Sequence, residues 1–337
     1  MRLLKLKHIQ ESLYSAFNFL LRHFGLTLQR LEKMWERNAF AELYESRIRH
    51  VPRYSEFPAE CIVFSKDRAL QLHALLSSCM EKITPQIPVH VLYHSSTREH
   101  ETAYEEVVRL FADCGISFIK QDSIKSFRNN FISLLRTVQS EKFFFLVDDV
   151  LFIEDVDIND FVQFDTDKFV PTLRMGVNLR QCYAIRKKQP LPEFISGITE
   201  DRNKIIWKWN QGVCDWAYPV SLDGHLFSTQ EITAMIQLID FSAPNTLEDQ
   251  LQKFRRFFLP RMGVGYRKSK IVNIPCNKVQ TENKNLHGDM HQDYLLKQWQ
   301  KGFRMDYRNL YGFNNTGVHQ EILFEFKKRQ IIEIHSA

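Results

Sequence analysis

The sequence predicts an α/β domain built on a mostly parallel, doubly wound sheet, preceded by a helical extension. Three observations carry this. Short apolar runs alternate with amphipathic stretches at βαβ spacing between residues 60 and 155. The run Phe143–Val147 is too apolar for an edge strand, as expected of a parallel sheet covered on both faces. The first 53 residues differ in kind, with ten Lys or Arg against five Asp or Glu, whereas the remaining 284 hold 35 of each.

The elements follow in order. Within residues 1–50, Leu13, Phe17, Leu20, Leu21 and Phe24 share one helical face that Gly25 ends, and Leu28, Leu31, Trp35 and Leu43 share another. They read as a hairpin packed on the main domain or as an interfacial helix pair on anionic lipid. After a Pro52–Pro58 linker come a strand Cys61–Ser65, a helix Ala69–Met80, a strand Pro88–Tyr93 and a helix Glu99–Cys114. A strand Ile116–Gln121 and a helix Phe127–Val138 precede the apolar run that opens Lys142–Phe152. Beyond residue 165 the alternation fades, and Phe169–Met175 reads as one more strand. Asp293–Gly302 reads as a helix with Trp299 buried.

Composition narrows the function. A main body with balanced charge speaks against nucleic-acid binding, which needs a basic stripe on the working domain. The six cysteines form no CxxC pair, so neither a zinc knuckle nor a redox motif is expected, and a reduced cytoplasm suits them. No signal peptide and no uninterrupted apolar span of membrane length is visible.

In open α/β sheets ligands bind beyond the carboxyl ends of the strands. Two places there carry chemistry. Asp148 and Asp149 follow Phe143–Val147 where a buried strand emerges, and adjacent carboxylates need a cation or several donors. A divalent ion shared with phosphates satisfies both, and a turn or a pair of helix caps is the plainer alternative. Ser65, Lys66, Asp67 and Arg68 follow the first strand, with Lys66 or Arg68 suited to phosphate and Asp67 also suited to capping a helix.

FFFLVDDVLF resembles the acidic motif of GT-A glycosyltransferases, and CIVFSKDRALQL resembles that family's first strand and base-contacting loop. The resemblance implies a GT-A-like, Rossmann-like sheet and a nucleotide-sugar donor. It gives Asp149 the place of the Mn²⁺ or Mg²⁺ ligand, with Asp148 beside it on the metal or donor, and Val147 where many members carry an acid. Ser65, Lys66, Asp67 and Arg68 fall where the donor binds, and Arg128 and Asn129 of KSFRNNF join them as base or phosphate contacts. Glu248, then Asp249, then Asp223 are the choices for the base that takes the acceptor proton. The resemblance also implies a C-terminal loop that closes on the metal or diphosphate, with His287 and His291 as candidates beside Asp289.

The stretch IIWKWNQGVCDWAYPVSLDGHLF brings Trp209, Asn210, Asp215, Trp216 and His225 together as an acceptor-binding set, because aromatic faces beside polar groups suit sugar rings. A tryptophan-rich core layer explains the same residues. In SAPNTLEDQL, Asn245 or Thr246 is expected to cap a helix, which would put Glu248 and Asp249 in its first turn, where acids also favour the dipole.

The expected organisation is a basic amphipathic extension (1–53), a nucleotide-sugar-binding half (54–165), an acceptor-binding and catalytic half (166–312) and a basic tail (313–337). The expected activity is metal-dependent transfer of a hexose-like sugar to a glycan or lipid-linked acceptor in surface polysaccharide synthesis. The expected place is the cytoplasm, with residues 1–50 touching the inner, anionic membrane face. Two rivals stand beside it: a nucleotidyltransferase, which SKDRALQL disfavours by lacking glycine, and a non-catalytic carbohydrate-binding or scaffold protein.

Overall fold

The computed structural model describes residues 55–122, 124–276, 291–323 and 325–329, with Arg53 and nine helical residues between Phe17 and Glu45. The chain divides into two compact units, Met1–His50 and Val51–Ala337. Apart from those nine helical residues, the reading of residues 1–50 as two helices lies outside the described residues, as does that of His287 and Asp289 as closing-loop groups. So does the tail beyond Arg329.

In the second unit, β1 (Glu60–Lys66), β2 (Val89–His94), β3 (Ile116–Lys120) and β4 (Lys142–Val147) are parallel. The order across the sheet puts β10 (Leu226–Ser228) first, antiparallel to β4, followed by β1, β2 and β3. Period-two alternation gives each face its own apolar set. Cys61, Val63, Phe144 and Leu146 meet α1 (Ala69–Lys82) and the core around α2 (Arg98–Leu110). On the other face Phe64 and Phe145 meet Phe131 of α3 (Phe127–Leu135), which packs near α4 (Thr229–Gln237). The sheet is therefore doubly wound, and β4 is interior, as its composition predicts.

The register fixes the site. Phe64 pairs Val147, so the polar residues after β1 and those after β4 emerge side by side at the carboxyl edge. Asp148 and Asp149 form the turn before β5 (Val150–Phe152), which runs antiparallel to β12 (Ile271–Asn273). A second sheet joins β6 (Phe169–Gly176), β9 (Lys204–Lys208) and β11 (Met262–Tyr266). β7 (Gln181–Cys182) and β8 (Lys187–Lys188) make a small hairpin beyond β6.

Three local expectations change. The second and third helices end early, at Leu110 and Leu135. Asp67 caps no helix: it has φ +53° and accepts from the Ser96 N–H at 2.7 Å, tying the loops after β1 and β2 together. α5 (Pro244–Leu251) starts at Pro244, earlier than a cap at Asn245 or Thr246 allows, because proline suits the first helical position. The Thr246 hydroxyl instead accepts from the Ser242 and Ala243 N–H groups. Glu248 and Asp249 thus sit in the second turn, so a first-turn dipole role does not account for them.

Among the described residues all six cysteines are free, and no helix is long and apolar enough to cross a membrane.

Candidate active site

The site has two corners. The first is the end of β4. Both Asp148 oxygens are engaged: Oδ2 accepts from Ser65 Oγ at 2.9 Å and from the Lys66 N–H at 3.1 Å, and Oδ1 accepts from Arg68 Nη1 at 2.9 Å. The same Nη1 donates to Asp149 Oδ2 at 3.0 Å, and Asn273 Nδ2 donates to Asp149 Oδ1 at 2.9 Å. Tyr104 braces the corner, its hydroxyl 2.6 Å from Ser65 Oγ and accepting from the Arg68 N–H at 3.1 Å. The main chain carries the pair too, with the Ile274 N–H on the Asp149 carbonyl at 2.8 Å.

The second corner assembles elements distant in sequence. Arg174, at the end of β6, stands across from Asp223, while Thr172 two residues earlier bridges His225. The buried Arg174 guanidinium donates from Nη1 to Ser221 Oγ at 2.5 Å and to Asp223 Oδ2 at 3.3 Å, and reaches Asp215 Oδ1 from Nη2 at 3.5 Å. Asp215 is locked by Gln189, which donates to its carboxylate at 3.0 Å and accepts its N–H at 3.1 Å. Glu248 of α5 accepts from the Leu222 N–H at 3.3 Å. His319 Nε2 lies 3.5 Å from Asp223 Oδ2, and the His319 backbone bridges Asn273.

The two corners share one electrostatic problem. Asp148, Asp149, Asp215, Asp223 and Glu248 face two guanidinium groups, Arg68 and Arg174. Burial, opposed by Arg68 and reinforced by Asp148 and Asp223, pushes the Asp149 carboxyl up to about 6. Burial and the Asp223 charge push Glu248 up to about 7. Burial also works against the Asp223 charge, but the His319 hydrogen bond and Arg174 hold that carboxyl below its ordinary value. His225 is driven down to about 3 by burial and Arg174, so its imidazole is neutral.

This negative excess fits one hard divalent cation. Asn273 Oδ1, beside Asp149, is buried and has no partner among the described residues. Among the described residues no three His, Cys, Asp or Glu side chains converge to hold an ion unaided. An ion here would rest on Asp149, and substrate phosphates and water would complete its shell, as is usual for Mg²⁺.

The sequence-derived residues divide accordingly. Ser65, the Lys66 backbone, Arg68, Asp148 and Asp149 come together, and so do Asp215, Asp223 and Glu248. The Lys66 side chain is exposed at the strand end. Arg128 donates to the Ile236 and Ile239 carbonyls at the end of α4, and Asn129 is exposed on α3. His291 caps α6 (Gln292–Gln300) through the Asp293 N–H and is exposed. Asp249 and Asn210 are exposed. Trp209 and Trp216 are fully buried, packing edge-on to Trp207 at 4.7 and 4.9 Å, and Trp209 abuts the buried His225 at 5.6 Å. They form the tryptophan core layer and present no open ring face.

Four site residues escape the sequence reading: Arg174, Asn273, His319 and Tyr104. Arg174 in FVPTLRMG and Asn273 in KIVNIPC had a signal, since each is a polar residue inside an apolar strand. His319 and Tyr104 had none, because only the fold brings them near.

No family model matches the sequence, and no curated protein matches it. Solved structures do resemble it. Mannosyltransferase PcManGT from Pyrobaculum calidifontis, in complex with GDP-Man and Mn²⁺, is 14% identical over 36% of this chain and 39% of its own, with a TM-score of 0.25. TarS from S. aureus is 16% identical over 64% of this chain and 36% of its own, with a TM-score of 0.42. Its 1–349 fragment is 13% identical over 64% of this chain and 60% of its own, with a TM-score of 0.40. The chain thus spans between 36% and 60% of the length of these solved structures.

Proposed function

We propose that the chain is a nucleotide-sugar-dependent glycosyltransferase of GT-A type that transfers a sugar to a hydroxyl of a glycan or lipid-linked acceptor. The observation that supports it most is the crowding of five carboxylates around two guanidiniums, beyond the carboxyl ends of parallel strands. Asp149 would hold a Mn²⁺ or Mg²⁺ ion, which when bound neutralises the departing diphosphate. Arg68 fixes the carboxylate pair and holds Asp148 in place beside the donor. Glu248 takes the acceptor proton as the acceptor oxygen bonds to the anomeric carbon and the bond from that carbon to the diphosphate breaks. A carboxyl near 7 is half ionised at neutral pH, which suits a general base. Asp223, held ionised between Arg174 and His319, keeps Glu248 basic. A role in surface polysaccharide synthesis, with residues 1–50 at the inner membrane face, is the setting we attach to this reading.

The test is a thermal-shift panel of UDP-, GDP-, CMP- and dTDP-sugars with Mn²⁺, Mg²⁺ or EDTA, on wild type and Asp149→Ala. A donor at about 100 times its Kd stabilises the fold by roughly 2.7 kcal/mol. One nucleotide should shift wild type only with metal, and Asp149→Ala should lose the shift. Folded protein that responds to none of them would favour the non-catalytic binding or scaffold alternative. Turnover of a nucleoside triphosphate, with no response to nucleotide sugars, would favour the nucleotidyltransferase.

A further inference from the structure

The β7–β8 hairpin lies beside the catalytic corner, and the reading above gives it no task. Residues 180–190 read RQCYAIRKKQP, four cations and no acid. Arg180, Arg186, Lys187 and Lys188 are all exposed, and among the described residues none of the four enters an ion pair. Four like charges this close repel one another, a cost that a folded hairpin carries unless anions meet it.

The hairpin is also rigidly mounted. The Gln189 N–H donates to the Arg180 carbonyl at 2.8 Å, and Gln189 Nε2 donates to the Gln181 carbonyl at 3.1 Å. Gln189 then grips Asp215 in both directions, Asp215 meets Arg174, and Arg174 meets Asp223. A second strut runs through residues 316–319. The Arg180 and Gln181 N–H groups donate to the Thr316 carbonyl at 2.8 and 2.9 Å. The Tyr183 ring stacks near His319 at 6.3 Å, and His319 contacts Asp223. Both struts end on the same buried carboxylate, Asp223.

We propose that this hairpin docks a polyanionic acceptor chain, one bearing phosphate or carboxylate groups along its length, and leads its terminal hydroxyl toward Glu248. The proposal rests on the glycosyltransferase reading for the word acceptor, while the anion-docking surface stands without it. Charge complementarity selects the partner, and the struts to Asp223 place the surface at the active site rather than on a remote face. At the tip Ala184 and Ile185 are the exposed apolar side chains, too few for an apolar patch, which favours a soluble chain over a membrane.

The test uses the full chain and fluorescent inorganic polyphosphate, read by anisotropy between about 0.05 and 0.2 M salt. Three proteins are compared: wild type, R186Q/K187Q/K188Q, and R109Q/K297Q/K301Q, which removes equal charge elsewhere on the exposed surface. We expect the hairpin variant to bind about tenfold more weakly or worse, with a shallower salt dependence, and the control to change less than about twofold. Nucleotide-sugar thermal shifts run in parallel should be equal in all three. Equal losses in both variants, or none in the hairpin variant, overturn the proposal. Hairpin-dependent binding to phosphatidylglycerol vesicles without hairpin-dependent binding to polyphosphate also overturns it, in favour of a membrane surface. Intact polyphosphate docking with no nucleotide-sugar response would retain the docking surface and reject the glycosyltransferase reading.

Discussion

The two corners of the site solve the same problem, buried carboxylates, in different ways. At the end of β4 the carboxylates are held mostly by neutral donors. Asp148 keeps Ser65 Oγ and the Lys66 N–H, and Asp149 keeps Asn273, whatever Arg68 does. At the β6 corner one guanidinium serves three partners, Ser221, Asp215 and Asp223, and its buried Nε has no partner among the described residues. Around that corner, His225 Nε2, Trp209 Nε1, Trp216 Nε1 and Gln252 Oε1, just past α5, are also buried without a partner among the described residues. Asp148 thus has two neutral donors beside its guanidinium, whereas Asp215 has one, Gln189, and Asp223 has His319 beside Arg174.

The largest effect expected from breaking this contrast is on stability. Arg174→Met keeps most of the side-chain volume but leaves Asp215 and Asp223 with one fewer partner each and removes the guanidinium they share. Removing one partner of a buried ion pair costs about 3–5 kcal/mol. Arg68→Met should cost less, about 1–3 kcal/mol, because the neutral donors remain. Urea unfolding of the two variants against wild type checks the ordering. Equal losses would mean that the neutral donors at β4 contribute little and that the two corners do not differ in this way.

The next effect is on activity, and it sharpens the division of labour. Glu248→Gln is nearly isosteric and keeps an oxygen for the Leu222 N–H, so the fold should hold. If Glu248 takes the acceptor proton, sugar transfer should fall about 10²-fold or more while donor binding is unchanged. Asp249→Asn, one residue on and exposed, should alter transfer less than about twofold. The readouts are transfer rates with saturating donor, alongside donor thermal shifts. A Glu248→Gln enzyme with full activity would move the base to Asp223.

The contrast also marks what could be read in the sequence. The first corner lies on a strand pattern and two short motifs, so Ser65, Arg68, Asp148 and Asp149 fall together once β1 and β4 are parallel neighbours. Period-two alternation and an apolar run dictate that much. The second corner draws on β6, the loop before β10, α5 and residue 319, which lies 145 positions beyond Arg174. No local periodicity encodes such a meeting. The Trp residues show the complementary failure: side chains suited to stacking on sugars are equally suited to a core, and composition alone does not separate the two. Trp207 Nε1 donates to the Trp216 carbonyl at 3.2 Å, and the backbone at Gly263 lies against the Trp207 ring, where a Cβ would come within 2.3 Å of it. Those are the contacts of an interior layer.

The smallest expected effect is a pH dependence of stability that belongs to Glu248. Its carboxyl titrates near 4.5 when unfolded and is pushed up to about 7 in the fold by burial and Asp223. Between those values the unfolded chain has released a proton that the folded chain retains, so stability falls as pH rises from about 4.5 to about 7 and then levels off. Asp149, raised to about 6, acts in the same direction. His73 and His225, both lowered to about 3, act in the opposite one: below about 6.5 the unfolded imidazoles bind protons that the folded ones refuse. The wild-type slope is the sum of these opposed contributions and identifies none of them. The difference between wild type and Glu248→Gln isolates one, because glutamine does not titrate and the histidines cancel. Since Glu248 retains some solvent contact, we expect that difference to grow in the variant's favour by about 1 kcal/mol between pH 5 and pH 7.5, measured by urea unfolding at each pH. A difference that stays constant across that range would mean that Glu248 is ionised throughout. It would then be an ordinary surface acid, and the second corner would have no group poised to take a proton near neutrality.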